Sequence, residues 1–165
     1  MAATERKLFG TDGVRGEAGT FLTAELATAL GKAAATSLEA DRPQILIVRD
    51  TRESGPMLEA ALAAGIAAGG GDALLGGVLP TPAAAILVKR LGLDLAAVVS
   101  ASHNPYRDNG IKFFSGEGTK LDDEAEARIG PYLLVGSFHP SQQNTFTGKL
   151  TVAMLDRAIA RAARG

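Results

Sequence analysis

Three short apolar runs, Gln44-Ile-Leu-Ile-Val48, a stretch within Ala73 to Leu79, and Leu95-Ala-Ala-Val-Val99, are separated by segments whose apolar residues recur at helical spacing. This pattern leaves few architectures open. Runs with no polar alternation must be covered on both faces, which calls for a mostly parallel sheet with helices above and below. Ahead of the first run, Leu22, Leu26, Leu30 and Ala33 mark a helix capped by Thr23, with Glu25 in the first turn where the helix dipole favours an anion. Ser54-Gly-Pro56 opens a second helix carrying Leu58, Leu62 and Ile66, and Gly69-Gly-Gly71 ends it. Thr81 caps a third helix, with Pro82 at its first position and a stop near Gly92. Ile111-Lys-Phe-Phe114 reads as a fourth strand, antiparallel and entered through a tight turn at Asn109-Gly110. Asp123 and Glu126 form a capping-box pair for a helix ending near Leu134. The expected fold is therefore α/β, a three-layer α/β/α arrangement with a mixed, mostly parallel sheet of about four strands.

Composition removes several classes of function. The chain has 165 residues, the size of one domain. Lys plus Arg number 17 against 18 Asp plus Glu, a net charge of −1, which lacks the basic excess that draws proteins to phosphate backbones. No nucleic-acid partner is expected. The absence of cysteine excludes a disulfide framework, a thiolate metal site and a thiol nucleophile, and suits a cytoplasmic location. The opening Met1 to Lys7 has charge without an apolar run behind it, so no signal peptide is expected. Ala60 to Val88 carries Asp72 as its only charge, but Gly69-Gly-Gly71, Gly76-Gly77 and Pro80-Thr-Pro82 cut it into pieces too short to cross a membrane.

In parallel sheets ligands bind beyond the carboxyl ends of the strands. Chemistry is therefore sought in Arg49-Asp-Thr-Arg52, Pro80-Thr-Pro82 and Ser100-Ala-Ser-His-Asn-Pro105. Ser102, with His103 and Asn104 beside it and Lys112 nearby, has the makings of a nucleophile or phosphate carrier among donors; the same residues also suit a plain turn. A local hydrolase triad is not expected, because there is no Gly-x-Ser-x-Gly elbow and adjacent residues of extended chain point to opposite sides, which places His103 badly to take a proton from Ser102. Gly10-Thr-Asp-Gly-Val-Arg-Gly16 offers backbone that can approach a ligand and Arg15 to hold an oxyanion, or equally a β-turn with a solvated arginine. Gly116-Glu-Gly-Thr-Lys120 lacks the spacing of a nucleotide-binding loop. His139 reads as a solvated loop residue, and Lys89 and Arg90 as the solvated end of a helix.

Taken as an ordered set, Phe9-Gly-Thr-Asp-Gly-Val-Arg-Gly16, Asp50-Thr-Arg-Glu-Ser-Gly55, Pro80-Thr-Pro82 and Ala101-Ser-His-Asn-Pro-Tyr-Arg-Asp-Asn-Gly-Ile-Lys-Phe-Phe114 resemble the first domain of the α-D-phosphohexomutase superfamily. The opening and the Asp108 to Phe114 run are most similar to its bacterial phosphoglucosamine mutase branch, and the resemblance covers about residues 6 to 134. It implies an isomerase, an intramolecular phosphotransferase. Ser102 would be the phosphoserine, passing its phosphoryl group to glucosamine 6-phosphate through a bisphosphate and leaving glucosamine 1-phosphate. Arg15 would face the phosphoserine as a fixed cation, and Lys112 would accept the sugar hydroxyl's proton or add charge. His103 and Asn104 would shape the loop and offer hydrogen bonds. A Mg²⁺ on an oxygen of the Ser102 phosphate would neutralise the group in flight.

The departures limit what the resemblance implies. The family's Asp-Gly-Asp-x-Asp-Arg, Gly-Glu-x-Ser-Gly and Arg-x-Ser-Gly-Thr loops, which supply further Mg²⁺ ligands, sugar selection and phosphate grip from domains II to IV, do not occur here. Residues 1–134 are thus expected to be the phosphoserine domain, with 135–165 a polar loop and a terminal helix, and the chain alone to be nearly inactive. Its partners would be a hexosamine phosphate, its bisphosphate and the missing mutase domains. Two alternatives are a phosphomannomutase or phosphoglucomutase domain, and a non-catalytic module whose terminal helix, with Arg157, Arg161 and Arg164 on one face, contacts a partner.

Overall fold

A computed structural model describes Phe9 and residues 12–129, with the side chains of Asp123 and Ala127 left aside. The helix end near Leu134, the polar stretch with His139, the terminal helix with its arginine face and the boundary at 134 all lie outside the described residues.

The chain forms β1 (Val14–Glu17), α1 (Ala24–Thr36), β2 (Gln44–Arg49), α2 (Gly55–Ala68), β3 (Asp72–Val78), α3 (Thr81–Leu91), β4 (Leu95–Val99), β5 (Asp108–Ser115) and α4 (Asp123–Ile129). Five strands make one sheet in the order β1-β5-β4-β2-β3. Parallel pairing joins β2 to β3 and β4, and β5 is antiparallel to both β4 and β1. Four strands therefore run one way and β5 the other, so the carboxyl ends of β1 to β4 share an edge with the start of β5.

Two of the three continuous apolar runs fall in the middle of the sheet; the third, β3, is its edge strand, paired only with β2, and leaves Leu75 and Val78 exposed instead of covered on both faces. β4 is buried along its whole length, and Ile45 to Val48 of β2 are buried on both faces. Leu46, Val48, Ala96, Val98 and Phe114 pack with Ala84 and Val88 of α3. The alternate β2 residues, Ile45 and Ile47, turn to the opposite face, where Leu58, Leu62 and Ile66 of α2 are buried. At about 25 cal/mol per Å² of apolar surface, each such side chain contributes roughly 1.5–3 kcal/mol. α1 lies against α2 at very short range, because a Cβ on Gly31 would overlap the Leu62 carbonyl and one on Gly65 the Thr28 carbonyl. Thr23 caps α1 by accepting from the Leu26 N–H at 3.2 Å. The Glu25 carboxyl is held below its ordinary range by a backbone hydrogen bond and then by the Thr23 hydroxyl.

Four further local expectations differ. β1 adds a fifth strand where the glycines of the opening segment suggested a turn, because Val14 to Glu17 find pairing partners in Asp108 to Ile111. Asn109-Gly110 is no turn but the interior of β5: Asn109 is fully buried and donates to Ser54 Oγ at 2.8 Å. The cap of α3 is Pro80, with Thr81 already helical. α4 is capped by Asp122, whose Oδ1 accepts from the Ala125 N–H at 2.8 Å, while Glu126 is buried and pairs with Lys120 at 3.2 Å. The Gly116 to Lys120 segment is a tight turn closed by Ser115 and Thr119. Among the described residues, no helix is long and apolar enough to cross a membrane.

Candidate active site

The loop from Ser100 to Arg107 leaves β4 at the carboxyl edge and returns as β5. Ser102 lies at its exposed tip with φ of +51°, the left-handed region, and is the only such non-glycine residue among those described. That conformation costs a side-chain-bearing residue on the order of 1–3 kcal/mol and persists only where its surroundings enforce it.

The enforcing group is Arg52, which follows β2 and is only 8% exposed. Its Nε donates to Asp50 Oδ2 at 3.1 Å. Its Nη1 donates to the carbonyls of Pro105 at 2.7 Å and Asp108 at 2.8 Å, and its Nη2 to those of Ser102 at 2.9 Å and Asn104 at 3.0 Å. One guanidinium thus fills five acceptors, four of them backbone oxygens of one loop. Asp50 is the second anchor: Oδ1 accepts from the Arg52 N–H at 3.0 Å, and Oδ2 from the Ser100 hydroxyl at 2.8 Å. Ser100 Oγ in turn accepts from the Ser102 N–H at 3.2 Å.

The two cations stand beside this loop on the strands beyond it. Arg15 pairs across β1 and β5 with Gly110, and Lys112 lies two residues further along β5, so both occupy one face of the sheet. This is the face that α3 covers elsewhere, since Phe114 follows on it and Lys112 Nζ lies 5.4 Å from the Phe114 ring centroid. Gly13, opposite Lys112, has φ of +85°, and a Cβ there would overlap the Ile111 carbonyl. Arg15 Nη1 donates to Asn104 Oδ1 at 3.2 Å, and Asn104 Nδ2 to Asp108 Oδ2 at 3.0 Å, which ties the cation to the Ser102 loop. Asp12 stands between the cations, 3.7 Å from Arg15 and 4.0 Å from Lys112, in loose contacts that are 57% exposed on the Asp12 side. Exposed pairs of this length hold little energy and yield readily to a stronger anion. Among the described residues Arg15 Nε is buried without an acceptor, a departure of the kind that collects at functional sites.

Of the residues singled out in the sequence, Ser102, Asn104, Arg15 and Lys112 gather at this edge. His103 is exposed in the same loop and takes part in none of the described hydrogen bonds. Pro80-Thr-Pro82 starts α3 instead. Arg52, Asp50 and Ser100 have no role assigned from sequence, although Arg49-Asp-Thr-Arg52 and Ser100 to Pro105 are among the places to search and Asp50 to Gly55 is a motif of the resemblance. Their partners are carbonyls and each other, which leave no signature in side-chain spacing. Among the described residues no three His, Cys, Asp or Glu side chains come together as a metal site.

Residues 6–136 match the family model for phosphoglucomutase/phosphomannomutase, alpha/beta/alpha domain I. The chain belongs to this family. It is 58% identical over 130 residues to a phosphoglucosamine mutase of Heliobacterium modesticaldum, covering 78% of this chain and 28% of that protein. It is 55% identical over 134 residues to one from Bordetella avium, covering 76% and 30%. A solved phosphoglucomutase/phosphomannomutase family protein from Burkholderia thailandensis superposes with a TM-score of 0.66 at 30% identity, over 74% of this chain and 29% of that one. The chain therefore spans less than a third of the length of these relatives.

Proposed function

We propose that this chain is the phosphoserine-bearing domain of a phosphoglucosamine mutase, residues 1–134 forming that domain. The observation that carries the reading is Ser102, held in the left-handed region at the carboxyl edge, with Arg15 bonded to its loop and Lys112 on the same face. Similarity above one half to phosphoglucosamine mutases favours glucosamine phosphate over other hexose phosphates.

In the forward reaction the C1 hydroxyl of glucosamine 6-phosphate attacks the phosphorus on Ser102. The bond from phosphorus to serine oxygen breaks, and the serine oxygen takes a proton. The resulting 1,6-bisphosphate then returns its 6-phosphoryl group to Ser102, leaving glucosamine 1-phosphate and the enzyme recharged. Little covalent chemistry falls to the protein; positioning and charge carry the transfer. Arg15 offers a guanidinium to the phosphoryl oxygens. Lys112 stands where a charge partner, or the acceptor of the sugar hydroxyl's proton, is needed. Asn104 fixes Arg15 to the loop, and His103 lies open to the substrate side.

Mg²⁺ would neutralise the phosphoryl group. The described residues do not by themselves fit a complete oxygen shell for it: Asp50 is engaged by Arg52 and Ser100, and Asp108 by Asn104. This chain would give the ion one oxygen of the Ser102 phosphate, and the other ligands would come from elsewhere. The loops that would supply them do not occur in the chain, so turnover by the chain alone is expected to be negligible.

The test is a chimaera in which this chain replaces the matching first part of the Heliobacterium phosphoglucosamine mutase. It should interconvert the glucosamine phosphates, with sugar selection supplied by the Heliobacterium domains, and lose that activity with Ser102→Ala. A folded chimaera that does not turn over glucosamine phosphate would contradict the catalytic reading.

A further inference from the structure

Arg52 is the one buried guanidinium at the site for which the proposed phosphoryl transfer has no role. It touches neither the carrier hydroxyl nor, through its satisfied donors, an incoming sugar. All its N–H groups are engaged, by Asp50 and by the carbonyls of Ser102, Asn104, Pro105 and Asp108. Those four oxygens belong to one stretch of chain whose other ties among the described residues are single ones, among them the backbone bonds of Asn104 to Ala101, of Asp108 to Pro105 and of the Ala18 N–H to the Arg107 carbonyl, and the bond of the Glu53 N–H to the Tyr106 hydroxyl.

We infer that Arg52 is a positioning residue: its planar fork sets the curvature of the Ser102 to Asp108 loop and thereby aims the phosphate carrier at Arg15 and Lys112. The inference rests on the reading of Ser102 as the carrier and adds the device that holds it. Three features support it. The guanidinium reaches the loop from β2, about fifty positions away in sequence, so the loop is referred to the rigid centre of the sheet and not only to its own ends. Ser102, the residue with the unfavourable φ, gives its carbonyl to Arg52 and its N–H to Ser100 Oγ, so both its peptide groups are fixed. The Ser102–His103 peptide is trans, so with the Ser102 carbonyl turned to Arg52 the His103 N–H points away from the guanidinium and is left open for an acceptor.

Shape, not charge, is the active property. A lysine at this position keeps the cation but has three donors around one point and cannot span four carbonyls and a carboxylate. Arg52→Lys should therefore fail to rescue the loop, whereas a residue acting by charge alone would be replaced by it.

The test uses the whole 165-residue chain with phosphoserine encoded at position 102. In the unsubstituted chain, phosphorus NMR should give one sharp resonance, and the Asn104 and Asp108 amides should exchange slowly. In Arg52→Lys exchange at those two amides should accelerate at least about tenfold more than at Ile47 and Val98, and the phosphorus line should broaden or split. Arg52→Lys with the exchange rates and the single line of the parent would overturn the inference. A parent chain whose phosphate line is already broad, with loop exchange still dependent on Arg52, would sink the carrier reading and leave the loop clamp standing. Should Arg52→Lys not fold, the parent decides: separate, slowly exchanging Nη signals for Arg52 support the clamp, and one averaged set refutes it.

Discussion

The packing of β2 and β4 against α3 and the packing of the Ser102 loop against Arg52 solve the same problem in opposite ways. In the first, eight or so apolar side chains share the work, from Leu46 to Phe114, and none is indispensable. In the second, one side chain meets four carbonyls at once. The core tolerates exchange of one aliphatic group for another of similar volume. The loop does not tolerate exchange of one cation for another. An apolar core needs only the right volume on the right face, whereas a catalytic loop needs one conformation, and a fork of fixed geometry is a means of imposing one.

The contrast can be broken by substitution. The largest effect expected is functional: Ser102→Ala in the chimaera should abolish conversion of glucosamine phosphates with no fall in melting temperature. Arg52→Met should destabilise the chain by about 3 kcal/mol in urea titration, since four carbonyls and the Asp50 carboxylate lose their partner together. Leu46→Ala, in the cluster packed against α3, should cost about 2–5 kcal/mol, a comparable loss, yet leave exchange at Asn104 and Asp108 in step with global unfolding. If Leu46→Ala loosened the loop selectively, the two regions would not be separate devices. Ser102→Gly should raise stability by about 1 kcal/mol, because glycine takes the left-handed conformation without strain. The smallest effect is at the surface: Lys89 and Glu117 pair at 3.2 Å but are 66% and 80% exposed, so Lys89→Ala should change stability by no more than about 0.5 kcal/mol.

The same contrast governs how much could be read without coordinates. α1, β2, α2, α3 and β4 are written in periodicity, since burial on one or both faces imposes a pattern on side-chain type. β1 is not, because Val14 to Glu17 become a strand only through pairing with β5, a partner almost one hundred residues away. Asn109-Gly110 has the local chemistry of a turn, but the buried bond of Asn109 to Ser54 and the fit of Gly110 beside the Ser100 carbonyl place it inside a strand. Ser102, Asn104, Arg15 and Lys112 were legible as reactive types at a strand's carboxyl edge and as motif positions of a recognisable family. Arg52 stands in the Asp50 to Gly55 motif of the same resemblance, but its role was not legible, because its partners are backbone oxygens, and every residue has one.

Whether Ser102 carries the phosphoryl group is decided by mass analysis of the chimaera stopped during turnover of glucosamine 6-phosphate. One phosphate is expected on the peptide containing Ser102, exchanging with substrate phosphate and missing from Ser102→Ala. An active chimaera with no phosphate on that peptide, or with its activity intact in Ser102→Ala, would remove Ser102 as the carrier.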